Sequence, residues 1–295
     1  MIQDIAPCRF INRFENKKPT ASGAVMCFHG NRLLAAYDEE QRSLRFPRFR
    51  DFSCGAENAV YLFRIDGQDF FLLSGDAEPL PGYAYRTMQE LRDFPLSGNV
   101  GIFAAYCAYH LWKWYSANRF CGACGTKTVH DTIERAVVCP DCGNKIYPRI
   151  NPAVIIGITN GDRLLLTKYR TGFVHNALVA GFTEFGETLE ETVEREVMEE
   201  VGLKVKNICY YKSQPWGVAA DILAGFFCQV DGDDAIRMDD TELKYAEWVK
   251  REDIVLQPNN YSLTNEMMKL FKDGKLEDYY GKIKVTGQSF ASRTL

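Results

Sequence analysis

Three glutamates near the middle of the chain have the residue type and spacing that best suit chemistry. Glu196, Glu199 and Glu200 fall at positions i, i+3 and i+4, so on a helix their side chains share one face. Like charges at this spacing destabilise a helix, and a divalent cation such as Mg2+ or Mn2+, which prefers carboxylate oxygen, would compensate them. A solvated acidic helix face is the alternative interpretation. Arg195 lies four residues before Glu199 and eight after Glu187, so we expect it to pair with acids that flank the site.

Residues 181–203 predict a loop, a helix and a second loop that position these acids. Thr188 followed by Glu191 is a capping box, which predicts the start of the helix. Gly202 predicts its end, because glycine adopts the left-handed conformation at little cost. Another face carries an apolar stripe that recurs every four residues and comprises Leu189, Val193 and Val197.

Two close pairs of cysteines predict a second metal site. Cys121 and Cys124 are followed, after fourteen residues, by Cys139 and Cys142. This is the spacing of a four-cysteine zinc site built from two tight turns. Four thiolates complete a tetrahedral shell and leave no open position, so we expect one structural zinc per chain. Two reduced pairs or two disulfides are the alternatives.

Zinc ribbons often bind nucleic acid, and this is an alternative role for residues 121–142. The segment between the pairs, residues 125–138, has one Lys and one Arg against one Asp and one Glu, and therefore no basic face. The other six cysteines have apolar neighbours and are expected to be reduced core residues, as in a reducing compartment. They are Cys8, Cys27, Cys54, Cys107, Cys209 and Cys228.

The composition is that of an ordinary globular protein. The 295 residues suffice for two or three compact units, with 46% hydrophobic and 25% charged residues. A formal net charge of -4 argues against broad electrostatic binding to nucleic acid. The first residues lack the basic start and apolar core of a secretory signal, and residues 96–112 are too short and polar for a membrane span, so we expect a cytoplasmic location. No Walker loop or dinucleotide-binding glycine motif follows a predicted strand.

The predicted elements indicate an α+β chain. We expect a β-rich N-terminal domain over residues 1–95, a linker helix over 96–118, the zinc ribbon over 119–150 and a further domain over 151–295. Turn residues predict hairpins that pair residues 59–65 with 69–73, 153–159 with 163–168, and 23–29 with 33–37. In the last domain, strands surround the long amphipathic helix and a second helix over 262–272, which predicts an α/β/α sandwich.

The glutamate helix belongs to a longer ordered frame. Gly181 is followed after five residues by Glu187, and after seven more by Arg195-Glu196; an aliphatic residue, a spacer, Glu199-Glu200, a spacer, Gly202 and an aliphatic residue complete it. This frame resembles the Nudix box of the Nudix hydrolases, with no position missing. The resemblance implies a metal-dependent hydrolase and a Nudix α/β/α domain over residues 151–295.

Three further features narrow the resemblance to the NADH pyrophosphatase subfamily, over roughly residues 100–270. The four-cysteine ribbon precedes the box, Tyr147-Pro-Arg-Ile-Asn-Pro152 joins the two, and Ser213-Gln-Pro-Trp216 follows ten residues after the box. In the subfamily the last motif continues Pro-Phe-Pro-x-Ser, whereas residues 217–221 here read Gly-Val-Ala-Ala-Asp. The loss of this half of the motif leaves the expected hydrolase activity unchanged but affects which dinucleotide the chain is expected to prefer.

The resemblance also implies roles for single residues. Glu196, Glu199 and Glu200 would bind Mg2+ or Mn2+. Either Glu199 or Glu200 could take the proton of the attacking water, and we expect Glu200 to be the main catalytic group. Glu242 would be a further metal ligand, and Glu247 is its rival. The predicted catalytic set is Glu187, Arg195, Glu196, Glu199 and Glu200.

For the substrate, the resemblance implies aromatic contacts. Phe182 and Tyr147 would sandwich a base, with the tyrosine supplied by the second chain of a homodimer, and Gln214 and Trp216 would line the pocket. Core packing is the alternative for the three aromatic residues.

The function expected on this basis is hydrolysis of the pyrophosphate bond of NADH and NAD+ to nicotinamide mononucleotide and AMP. Two rivals remain. One is a different Nudix substrate, including RNA with a 5′ NAD cap. The other is a non-catalytic nucleotide sensor, from which a box glutamate should have been lost.

Overall fold

The computed structural model describes residues 1–75, 77–171 and 175–279, which form two compact units. The N-terminal unit comprises residues 2–150 and 216–220, and the C-terminal unit comprises Met1, residues 151–215 and those from 221 on. The predicted division into four segments is finer and stays a prediction. Among the described residues, no helix combines the length and the apolar character needed to cross a membrane.

The N-terminal unit is rich in short strands. In chain order its strands and helices are β1 (Phe10–Ile11), β2 (Ala24–Met26), β3 (Phe28–His29), β4 (Arg32–Asp38), β5 (Ser43–Arg45), β6 (Ala59–Ile65), β7 (Gln68–Leu73), β8 (Ala84–Thr87), α1 (Met88–Asp93), α2 (Val100–Ala117), β9 (Val129–His130), β10 (Val137–Val138) and β11 (Lys145–Ile146). One sheet has the order β1-β6-β7-β2, a second joins β3, β4, β5 and β8, and a third, in the ribbon, has the order β11-β10-β9.

Local turn chemistry explains the hairpin of β6 and β7. Asp66 and Gly67 both have positive φ, 45° and 79°, which is the geometry that a tight hairpin turn requires. The strand predicted over residues 23–29 was wrong as a single element. It is interrupted at Cys27, because β2 pairs in parallel with β7 whereas β3 pairs antiparallel with β4.

The C-terminal unit is built on one six-stranded sheet. Its elements are β12 (Asn151–Asn160), β13 (Arg163–Tyr169), β14 (Val179–Phe182), α3 (Leu189–Val201), β15 (Val205–Trp216), β16 (Asp221–Val230), β17 (Leu243–Lys250) and α4 (Leu263–Lys272). The strand order is β15-β16-β12-β13-β17, with β14 paired to β12. Strand β12 runs parallel to β16 and antiparallel to β13 and β14.

A helix covers each face of this sheet, which makes the unit an α/β/α sandwich. Successive side chains of a strand point to opposite faces. Val154 and Ile156 of β12 pack in one core with Val193 and Val197 of α3. Ile155, between them, packs in a second core with residues of α4. Full burial of each valine on α3 contributes about 1.5–3 kcal/mol, so packing against the sheet fixes which face of α3 remains available for chemistry.

The cysteines outside the ribbon are all free thiols in this structure, as expected. Cys27, Cys209 and Cys228 are buried, which confirms their place in the core. The prediction was wrong for three others, which are only partly buried: Cys8, Cys54 and Cys107.

Candidate active site and metal centre

The four ribbon cysteines lie on two turns with the same hydrogen bonds. The amides of Gly125 and Gly143 donate to the carbonyls of Cys121 and Cys139, over 2.9 Å and 3.1 Å. Both glycines have positive φ, 77° and 73°, which residues with a side chain rarely adopt. The two tight turns therefore point their cysteines toward each other.

The thiol sulfurs are already arranged for a metal ion. The Sγ atom of Cys142 lies 3.6 Å from those of Cys121 and Cys124, and Cys124 Sγ lies 3.4 Å from Cys139 Sγ. Zinc–sulfur bonds of about 2.3 Å in a tetrahedron place the sulfurs roughly 3.8 Å apart, close to these values. Backbone amides of Ala123 and Cys124 also lower the pKa of the Cys121 thiol to about 6, which favours the ligating thiolate. The four side chains fit zinc.

Helix α3 has the ends that its sequence predicts. The Thr188 side chain accepts a hydrogen bond from the Glu191 amide over 3.2 Å, and Glu191 accepts from the Thr188 amide over 2.7 Å. Such a cap contributes about 1 kcal/mol. Gly202 ends the helix in the left-handed conformation with φ 67°. These ends, together with the buried valines, set the direction of the three glutamates.

Arg195 is the cation at the centre of the box. Its guanidinium pairs with Glu187 at 2.6 Å, Glu196 at 2.8 Å and Glu199 at 2.9 Å, as the sequence spacing predicted. It also donates to the carbonyl of Phe182 over 2.9 Å, which ties α3 to the end of β14. The Arg195 pair lowers the pKa of Glu187 to about 2, so Glu187 is a firmly ionised partner that holds the arginine in place.

Glu200 is in a different environment from the other box acids. Its side chain is 4% exposed, and burial, followed by the charge of Glu196, raises its pKa to about 8. One of its oxygens, Oε2, is buried and has no hydrogen-bond partner among the described residues. An orphaned carboxylate oxygen beside further carboxylates fits a bound cation, since a hard divalent ion satisfies such oxygens. Glu199, by contrast, has a side chain that is 60% exposed.

Glu242 and Glu247 are the two candidates for the further acidic ligand, and their surroundings differ. The negative charge of Glu242 acts on Glu196 and Glu200 and contributes to raising the pKa of both, after burial. Glu247 lies within β17, opposite Leu166 of β13. The metal-ligand role of either glutamate stays a prediction.

Tyr169, at the end of β13, is a site residue that sequence reasoning missed. Burial and then the charges of Glu200, Glu242 and Glu196 raise the pKa of its hydroxyl, which places the ring among the acids. Only the pairing of β13 with β17 brings it there, so no local pattern indicates it.

Gly181 allows the Glu196 carboxylate to approach the backbone of β14. A Cβ atom at this position would lie 2.0 Å from the Glu196 Cδ atom. The glycine at the start of the box is therefore needed for space, and any side chain there would displace a predicted metal ligand.

The predicted substrate residues have varied surroundings. Phe182 and Tyr147 are each 53% exposed, and the Tyr147 hydroxyl donates to Glu134 over 2.7 Å. Gln214 is fully buried, donates to the Tyr261 carbonyl and accepts from the Leu263 amide, so it supports the start of α4. All substrate contacts of these residues stay predictions.

Trp216 also stays a prediction as a substrate contact. It belongs to the N-terminal unit, where its ring meets Tyr106 edge-on at 5.2 Å and Arg92 lies over it at 5.4 Å.

Comparison with protein-family models finds a match for the region with the glutamate box and another for the four-cysteine ribbon. Residues 149–271 match the NUDIX domain, and residues 116–147 match the NADH pyrophosphatase zinc ribbon domain. This chain carries a Nudix domain preceded by an NADH pyrophosphatase zinc ribbon. In the described residues, the four cysteines of that ribbon are the one group of three or more potential ligands whose ligand atoms all lie within 4.8 Å of one another.

Curated relatives match the same part of the chain. The NAD-capped RNA hydrolase NudC of Shigella flexneri is 41% identical over 164 residues, which cover 54% of this chain and 63% of that protein. The protein of the same name from Escherichia coli is 40% identical over the same span. The chain thus spans about 63% of the length of these relatives. A solved NUDIX hydrolase from Nitrosomonas europaea superposes with a TM-score of 0.48 at 19% identity, covering 54% of this chain and 93% of that one.

Proposed function

We propose that the chain is a metal-dependent hydrolase that cleaves the pyrophosphate bond of a nicotinamide dinucleotide, NADH or NAD+, to nicotinamide mononucleotide and AMP. The observation that carries the proposal is Glu200, a buried carboxylate with an orphaned oxygen and a pKa raised to about 8. An acid with a shifted pKa inside a cluster of acids is typical of a catalytic site. In a protein without catalytic activity the same arrangement would only lower the stability of the fold, so a non-catalytic sensor has no need of it.

Glu196, Glu199, Glu200 and Glu242 would hold Mg2+ or Mn2+, which neutralises the charge of the pyrophosphate and lowers the pKa of a bound water. Arg195 fixes Glu196 and Glu199 through its two 2.8–2.9 Å contacts, so the ligands are oriented before substrate binds.

Glu200 is the proposed general base. A carboxylate beside a metal-bound water can take its proton, and a cation at the acid cluster would keep Glu200 ionised for this role. The water oxygen forms a bond to phosphorus, its proton passes to a carboxylate oxygen of Glu200, and the bridging P–O bond breaks with its electron pair left on the departing phosphate. Attack at either phosphorus yields the same two mononucleotides.

Phe182 is the proposed surface for a base of the substrate. Its exposed ring sits at the end of β14, where Arg195 holds its carbonyl next to the acid cluster. The proposal includes a homodimer in which Tyr147 of a second copy covers the other face of the base. Light scattering of the purified protein tests this part, and a strictly monomeric active enzyme would contradict it.

RNA with a 5′ NAD cap is a second candidate substrate, favoured by the names of the relatives from Shigella flexneri and Escherichia coli. Its cap offers the same pyrophosphate to the same acids. The free dinucleotide and the capped RNA differ in whether nucleotides beyond the cap contribute to binding.

The experiment is a comparison of kcat/KM for NADH, NAD+, diadenosine diphosphate, ADP-ribose and a nucleotide sugar, with Mg2+ and then Mn2+. A short NAD-capped RNA is included beside the same RNA with a 5′ triphosphate. We expect the nicotinamide compounds to lead, with some use of related dinucleotides, because the prolines usual after Trp216 are absent. If ADP-ribose or the sugar nucleotide leads by more than about tenfold, roughly 1.4 kcal/mol in transition-state binding, the dinucleotide proposal is wrong.

A further inference from the structure

The N-terminal unit contains a cavity of about 870 Å3 that lies far along the chain from the Nudix box. Every residue that lines it belongs to this unit. Its apolar part includes the buried rings of Phe46 and Phe70, which meet edge to face at 6.3 Å, and the partly buried ring of Tyr83. A cavity of this size, which combines apolar and aromatic walls with polar side chains, has the character of a small-molecule site.

The polar part of the cavity is strongly basic. Arg45, Arg48 and Arg50 line it, against one acid, Asp51. The lining therefore carries a formal charge of +2, three arginines less one aspartate, in a chain whose formal net charge is -4. A local reversal of sign around a concave surface attracts anions.

Arg48 and Arg50 have no ion pair within the described residues of the unit. Arg50 is exposed, and its guanidinium has no hydrogen bond or ion pair within the described part of the chain. Arg48 donates to neutral acceptors, the Ser22 carbonyl over 3.1 Å and the side chain of Gln68. The carboxylate of Asp51 accepts instead from the Arg48 backbone amide, over 2.7 Å.

Arg48 is also held in place by these contacts, whereas Arg45 reaches only Asp38, at 3.6 Å. A guanidinium is a planar fork of donors that suits a phosphate group; Arg48 supplies one that is held in place, and Arg50 supplies one with no contact among the described residues. The first residues of α2, Val100 and Gly101, line the same cavity, and the helix begins without a side-chain cap, so its positive end adds to the potential.

We propose that this cavity is a second ligand site, which binds a small phosphorylated molecule with a planar ring, of the mononucleotide type. The arginines take the phosphate and the aromatic walls take the ring. An RNA chain is disfavoured because three arginines in a bounded cavity offer no track for a longer backbone. The site does not depend on the proposed hydrolysis.

The test is titration calorimetry of the full, zinc-loaded chain with AMP and no added Mg2+ or Mn2+. AMP has no pyrophosphate bond, so hydrolysis does not consume it and failure of the proposed enzyme activity leaves the test intact. The double variant Arg48→Gln/Arg50→Gln is compared with Arg13→Gln, an exposed arginine of the same unit that does not line the cavity.

We expect the double variant to lose one AMP site or to bind there at least tenfold more weakly, with the control unchanged. Unchanged AMP binding in a double variant that melts like wild type would overturn the proposal. If the double variant does not fold, Arg50→Gln alone decides, because this side chain is exposed and has no partner among the described residues. We expect it to bind AMP at least threefold more weakly, and unchanged binding would overturn the proposal.

Three further probes define the ligand class. Inorganic phosphate and adenosine should each bind at least tenfold more weakly than AMP at the site that requires Arg48 and Arg50. If phosphate bound as tightly as AMP, the planar ring would contribute nothing to binding, and the proposal would be refuted. A 5′-phosphorylated RNA of twenty nucleotides that binds there at least tenfold more tightly than AMP would refute it in favour of RNA.

Discussion

The ribbon cysteines and the box glutamates are both clusters of metal-binding side chains, but the protein holds them in different ways. The thiols contact each other at 3.4–3.6 Å on two matching turns, and backbone amides point at their sulfurs. The glutamates are spread between an exposed Glu199, an arginine-bound Glu196 and a buried Glu200 with an orphaned oxygen. The turns thus build a closed set of four thiolates that suits a structural metal. In the box, by contrast, a buried carboxylate oxygen has no partner, and a bound cation would satisfy it.

The largest expected effect concerns Glu200. Glu200→Gln should lower kcat for the best dinucleotide by roughly 10²- to 10⁴-fold, the usual contribution of general acid–base catalysis. Its melting temperature should stay equal or rise, because glutamine is neutral in both states, whereas burial makes the wild-type chain take up a proton at Glu200 when it folds. Steady-state kinetics and thermal melts of the variant check both.

Glu194→Gln is the matched control, since it makes the same charge change on an exposed position of α3. Wild-type kinetics are expected for it. A Glu200→Gln enzyme within threefold of wild type would remove the catalytic role of the buried acid.

The ribbon should show the opposite pattern, with stability lost rather than chemistry. Metal analysis of protein purified without added zinc should find about one zinc per chain. Cys139→Ser should destabilise the chain by about 4 kcal/mol, because zinc binding is coupled to folding of the turns. Cys54→Ser, a partly buried free thiol outside the ribbon, is the control. Zinc-free protein with unchanged melting would contradict the closed shell.

Gly181→Ala tests whether the box depends on the position of a glutamate for activity more than for stability. The added Cβ would displace the Glu196 carboxylate, which is the flexible end of its side chain, so activity should suffer more than stability. We expect kcat/KM to fall by roughly 10²-fold, as for a misplacement of about 1 Å, with a small change in melting temperature. Gly98→Ala, where a Cβ would meet nothing within 4 Å, should be silent in both assays. Equal activity in the two variants would show that Glu196 tolerates displacement.

The smallest expected effect is a difference in pH dependence between two acids of the box. Arg195 lowers the pKa of Glu187 to about 2, so its stabilisation is present above the unfolded pKa, about 4.3, and is lost as pH falls toward 2. Burial raises the pKa of Glu200 to about 8, so the folded chain holds a proton that the unfolded chain releases, and stability falls as pH rises from about 4.3 through 8.

Thermal melts of zinc-loaded protein without added Mg2+ or Mn2+ measure both slopes. Glu187→Gln should flatten the acid limb relative to wild type, and Glu200→Gln should flatten the limb above pH 5. Changes of a few °C are expected. Parallel curves for wild type and Glu200→Gln above pH 5 would show that Glu200 is not protonated in the folded chain.

Features that depend on a few neighbouring residues were predictable. The capping box at Thr188, the stop at Gly202 and the turn at Gly67 act within one turn of the chain, and all three have the expected geometry. The cysteine spacing worked for the same reason, because each pair is a turn of its own. The strand predicted over residues 23–29 was wrong as a single element because β2 pairs with the distant β7, whereas β3 pairs with the adjacent β4.

The sequence by itself determined the four cysteines of the ribbon, the glutamates that are candidate metal ligands, the ends of α3 and the alternation that gives a helix to each face of the sheet. Only the tertiary structure decided which acid is buried, since adjacent Glu199 and Glu200 differ through the packing of α3 on β12 and β14. It also brought the charge of Glu242 to act on Glu200, placed Tyr169 near the same acids, and gathered the arginines of the N-terminal cavity. The physical reason is that burial and electrostatic potential are sums over segments far apart in the chain, whereas caps and turns are set by residues next to each other.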